Sequence, residues 1–132
     1  MFYKKAAFLF VFCTGLAGGF VFPALAQDAT RQADDVAFFT SLEDVPLMPG
    51  LTEIPDETVS FDKPEGRIIE SSAMMQGVNR QQVSLYYKVS LPQFGWGEVQ
   101  ENVFYRGQEY LELSFFRRGD VDYVRIMVRP TL

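Results

Sequence analysis

Apolar and polar residues alternate most regularly near the C-terminal end of the chain. Leu111, Leu113 and Phe115 fall on one side of EYLELSFFRR, and Val124, Ile126 and Val128 on one side of DYVRIMVRP. That two-residue period is the signature of half-buried strands. RGQE and RRGD between the apolar runs are hairpin signals, and EVQENVFYR upstream reads as a further strand of the same meander. The period changes in NRQQVSLYYKVSL, where Val83, Tyr86, Tyr87 and Ser90/Leu91 share one helical face. Asn79 is a suitable N-cap, and Gln82 stands at capping-box spacing from it. Pro92 ends the helix and QFGWG turns the chain, with Trp96 read as a core plug. Before the helix, GRIIESSAMMQG is bounded by glycines and reads as one strand. Residues 66–132 thus predict an α+β domain in the order strand, helix, strand, strand, strand. One main helix is expected on a mostly antiparallel sheet of about four strands.

The preceding part, residues 27–65, is acidic and rich in proline. DVAFFTSLEDV places Val36, Phe39 and Leu42 at near-helical spacing, which predicts a short helix behind Asp34 or Asp35. Pro46, Pro49, Pro55 and Pro64 then call for an irregular or extended arm, with a short strand at Thr58–Phe61. SLEDVPLMPGL is unusually apolar for such a segment, and the simplest reading is that it packs back onto its own domain.

The first 26 residues form a secretory signal peptide on this reading. Lys4 and Lys5 provide a positive start, AAFLFVFCTGLAGGFVF an apolar stretch, and Ala24–Ala26 the small-residue cleavage site. Cleavage after Ala26 leaves 106 residues, exported to the periplasm or beyond, with no membrane span retained; the alternative is an uncleaved anchor, since the apolar run is nearly long enough to span a bilayer. Cys13 is the sole cysteine and lies within the leader, and the chain has no histidine. The exported domain is then held by its aromatic-rich core and not by disulfides.

Charge is uneven. Residues 27–65 carry ten acids and two bases, whereas residues 66–132 carry seven acids and eight bases. This balance speaks against nucleic acid as a partner, which calls for a dominant basic surface. The lack of histidine and of cysteine outside the leader excludes Ser-His-Asp and Cys-His catalysis and the common zinc sites. DETVSFDKPEGR lacks the alternating ligands of a calcium loop, and no phosphate-cradling glycine loop is present. No cofactor and no metal are expected.

The face of the last two strands opposite the apolar rows carries Tyr110, Glu112, Ser114 and Phe116, then Tyr123, Arg125, Met127 and Arg129. A solvated face is ordinarily small and polar. Aromatic residues, methionine and arginine are the types enriched at protein interfaces, although cross-strand pairing within the sheet also uses them. The candidate partner-binding residues are therefore Val45, Leu47 and Met48 in the arm, with Tyr110, Phe116, Tyr123 and Arg125 on the sheet. The leading expectation is a non-enzymatic accessory protein that binds another envelope protein. One alternative is a binder of small hydrophobic ligands, in a pocket between helix and sheet lined by Tyr86, Tyr87 and Trp96. A remoter one is a hydrolase using paired carboxylates, Glu98 with Glu101 or Asp120 with Asp122.

SLEDVPLMPGL, FDKPEGRI and VSLYYKVSLPQFGW together resemble small exported proteins of alphaproteobacteria, over nearly all of the chain after the leader. The helix ending in LPQFGW before three strands is more loosely similar to envelope lipoprotein domains of the BamC-like type. That resemblance implies a role in assembly or binding and supplies no catalytic residues. The chain departs from it in lacking a lipidation cysteine.

Overall fold

The computed structural model describes residues 35–131. Nine strands and one α-helix follow in the order β1 (Phe38–Phe39), β2 (Leu42–Pro46), β3 (Leu51–Glu53), β4 (Val59–Lys63), β5 (Gly66–Met75), α1 (Arg80–Ser90), β6 (Gly97–Gln100), β7 (Val103–Arg106), β8 (Glu109–Arg118) and β9 (Val121–Pro130). The predicted leader, residues 1–26, lies outside the described residues.

β1 and β2 form a small ribbon of their own, and the other seven strands form one antiparallel sheet in the order β3-β5-β9-β8-β7-β6. β4 lies beside β5 on the same side as β3, paired to the opposite end of that long strand. The expected α+β sandwich on about four strands is thus corrected. The protein is mostly β, with one helix and a seven-stranded sheet.

The extra strands have two sources. The prolines of the arm bracket short extended stretches and do not exclude them, so Leu51–Glu53 and Val59–Lys63 both dock on β5. EVQENVFYR is not one strand but a hairpin, because Asn102 adopts φ 61° and turns β6 back as β7. Asparagine tolerates that left-handed conformation better than most side chains. The helix predicted at Val36–Leu42 is also corrected, to the β1–β2 ribbon. Phe39 pairs with Leu42 across a two-residue turn at Thr40–Ser41. That turn produces the same three-residue spacing as a helical face.

The α1 prediction holds in detail. The Asn79 side chain accepts from the Gln82 backbone N–H and the Gln82 side chain accepts from the Asn79 N–H, both at 2.9 Å. Val83, Tyr87 and Leu91 are buried, and the chain reverses at Gly95, φ 88°, which closes the 3₁₀ turn over Leu91–Phe94. The core lies on the α1 side of the sheet. Ile69, Ala73, Phe104, Leu111, Leu113, Val124, Ile126 and Val128 face it from the strands. Phe39, Leu42, Val45 and Leu51 from the arm complete it, so the arm is a structural part of the domain.

Candidate functional site

The register of the sheet sorts the other face into cross-strand rows. One row runs Val59, Glu70, Met127, Glu112, Val103, and another Thr52, Met74, Tyr123, Phe116. Ser72, Arg125 and Ser114 lie between them, and Arg129, Tyr110 and Tyr105 form a third row. No described helix or strand lies over this face. Its aromatic and arginine side chains are locked to one another. Phe116 and Tyr123 stack with ring centroids 5.2 Å apart, and Tyr105 and Tyr110 meet at the same distance in a tilted pair. The Arg125 guanidinium lies 4.8 Å from the Phe116 ring centre, and that of Arg129 lies 5.1 Å from the Tyr110 ring centre. Arg125 also pairs with Glu70 at 3.0 Å. Such contacts fix side chains of high rotamer entropy before any partner arrives, which lowers the cost of binding.

Of the seven candidate residues, Tyr110, Phe116, Tyr123 and Arg125 are brought together here. The three from the arm are not. Val45 is fully buried, and Leu47 and Met48 are half-buried against the core on the α1 side. The Tyr87 hydroxyl donates to the Pro46 carbonyl at 2.9 Å, which ties the proline-rich segment to the helix. Burial pushes the Tyr87 hydroxyl well above its usual range, so it stays a neutral donor.

Tyr87 and Trp96 are packed into the core and line none of the described pockets. The apolar depression that does exist lies between the arm and the outer side of α1. It is an open groove of about 590 Å³ whose walls include Val36, Met48, Leu85, Tyr86, Val89 and Phe94. Leu85 and Val89 are 61% and 62% exposed, four residues apart, and fall outside the buried stripe of the helix. That spacing was visible in the sequence, but it is inseparable there from ordinary surface variation.

The carboxylate pairs do not assemble a hydrolytic pair. Glu98 is held by Lys88 at 3.2 Å, and Asp122 by Arg80 at 3.3 Å. Glu101 and Asp120 are exposed. Among the described residues no group of three or more acidic, histidine or cysteine side chains is placed to hold a metal ion.

An ionic cluster at one end of the core was not legible in the sequence. Asp44 of β2 accepts from Arg106 of β7 and from Arg67 of β5 at 3.2 Å. Glu109 of β8 accepts from Arg67 at 2.8 Å. The Arg106 guanidinium lies 4.2 Å from the centre of the Trp96 ring and donates to the Phe94 carbonyl at 3.1 Å. Partial burial works to raise the Asp44 carboxyl, but Arg106 and Arg67 outweigh it and hold the group below its ordinary value of 3.8. The unfolded chain therefore binds the proton more readily. The contribution of Asp44 to stability is present above its unfolded value and is lost as pH falls through the lower folded one. Asp44→Asn should cost about 1.5–3 kcal/mol near neutral pH, the range for a hydrogen bond to a charged group. In urea melts the deficit relative to wild type should hold steady down to about pH 5 and shrink below about pH 4. A deficit independent of pH would assign Asp44 a purely steric role.

Comparison with known proteins returns no matching family model, no matching curated protein and no matching solved structure. Among the described residues no helix is long and apolar enough to cross a membrane.

Proposed function

We propose that the protein is a non-enzymatic accessory protein of the cell envelope that binds another envelope protein through the outer face of its sheet. The observation that carries this reading is the bare face itself. Tyr105, Tyr110, Phe116, Tyr123 and Met127 surround Arg125 and Arg129, with no described element over them. An apolar-aromatic centre with arginines is the composition of an interface hot spot. The leader ending in Ala24–Ala26 supports an exported address, and the resemblance to exported alphaproteobacterial proteins accords with it.

The test is affinity capture from cross-linked cells, comparing wild type with Arg125→Glu. The expected result is a specific envelope partner whose recovery falls about tenfold or more in the variant, at unchanged melting temperature. Leu85→Asp, on the other side of the molecule, should retain the partner. No specific partner, or equal recovery by all three proteins, would end the proposal.

A second reading rests on the groove beside α1. Its volume falls in the range of small-ligand sites, and its apolar lining suits a hydrophobic molecule. Leu85→Asp should then abolish binding of an apolar fluorescent probe, a change to which the sheet-face reading is indifferent.

A further inference from the structure

Among the described residues the sheet has open edges at β3, β4 and β6 and along the end of β8 beyond its pairing with β7, where Arg117 and Arg118 put charge on the edge. β6 and β3 are protected by their geometry. β6 is interrupted by a register shift between Glu98 and Gln100, which twists its edge away from any incoming strand. β3 is capped, because the Thr40 backbone N–H and hydroxyl both bond the Glu53 carboxylate, at 2.8–3.1 Å. β4 has neither device. All five of its residues pair with β5 without a bulge, all five are exposed, and no proline interrupts it. It also displays Val59 and Phe61, the latter 59% exposed. A regular, exposed strand edge with apolar side chains is a template for another strand.

The register identifies which strand fits. Pro64 and Glu65 form a two-residue turn, so Lys63 and Gly66 close the hairpin and exchange hydrogen bonds. By alternation Phe61 and Val59 also bond to β5, which leaves the amides and carbonyls of Ser60 and Asp62 directed outward. A second β4, antiparallel about a two-fold axis through Phe61, meets them in phase: each Ser60 pairs with the second copy's Asp62. The two Phe61 side chains come together on the same face. Lys63 comes to lie beside the second copy's Val59, whose other neighbour is Glu70. Shifting the axis onto Asp62 sets two carboxylates face to face, and shifting it onto Ser60 places Asp62 and Lys63 opposite Thr58 and Glu57, outside the second copy's β4. VSFDK thus pairs over its whole length with a second copy in a single register.

We propose that β4 is a dimerisation edge, through which two copies of this chain join their sheets into one continuous antiparallel sheet. The arrangement extends the outer faces of both copies side by side. It does not depend on the identity, or the existence, of an envelope partner.

The test is sedimentation equilibrium of the purified protein over a wide concentration range. The expected result is a monomer–dimer equilibrium. Phe61→Lys, which sets two like charges on the axis, should weaken the dimer at least tenfold while its circular dichroism melt matches wild type. Val99→Lys, on the bulged β6 edge, should leave the dimer intact. A wild-type protein that stays monomeric at every concentration would overturn the proposal. So would a dimer that survives Phe61→Lys or is lost in Val99→Lys.

Discussion

Val45→Asp should leave the protein largely unfolded at ambient temperature. Val45 is completely buried in the core, in a segment that composition alone would class as an arm. The substitution removes a buried aliphatic side chain, worth about 1.5–3 kcal/mol. It also places a carboxylate where neither water nor a cation can reach it. The combined cost should exceed about 4 kcal/mol, a large part of the roughly 5–15 kcal/mol that holds a domain of this size together. Leu47→Asp, two residues on and half-buried, should cost less, because its carboxylate can turn toward solvent. Urea denaturation followed by circular dichroism compares the two. Equal, small losses would mean that the proline-rich segment lies on the domain without being part of its core.

Trp96→Ala should cost about 3–5 kcal/mol, the usual range for deleting a large buried aromatic. Trp96 is among the largest fully buried side chains of the protein, and it sits where the chain passes from the 3₁₀ turn into β6. Its loss also removes the ring under the Arg106 guanidinium, so Arg106 would bridge Asp44 and the Phe94 carbonyl without that support. Trp96→Phe should recover more than half of the loss, since a smaller ring still fills most of the space. A loss below about 1 kcal/mol for the alanine variant would show that the site collapses to fill the cavity.

The two substitutions address different kinds of legibility. Trp96 was readable as a core plug, because a lone tryptophan flanked by glycines directly after a helix has few other uses. Val45 was readable only in part: its apolar segment pointed back onto its own domain, but Pro46 and Pro49 did not name the face it would cover, and Val45 also stood as a candidate for partner binding. The same limit explains the missed strand at Leu51–Glu53, which is too short to show a period and becomes a strand only by pairing with β5. The short strand expected at Thr58–Phe61 is present as Val59–Lys63, on the other end of β5. The ionic cluster is the clearest case. Asp44 and Arg106 stand 62 residues apart, and nothing local in the sequence around either of them refers to the other.

Local physics determined much of the remainder. The capping box at Asn79–Gln82, the termination of α1 before Pro92, the hairpin at Gly119 and the apolar rows of β8 and β9 follow from interactions between residues close in the chain. Those rows place Tyr110, Phe116, Tyr123 and Arg125 on one face without further information, because side chains in a strand alternate strictly. The tertiary structure alone decided that no described element covers this face while the arm closes the opposite side. That choice depends on which surfaces fit one another after collapse. Val45 and Leu42 find an apolar cavity beside α1, and the outer face, whose arginines are held over aromatic rings, offers them none.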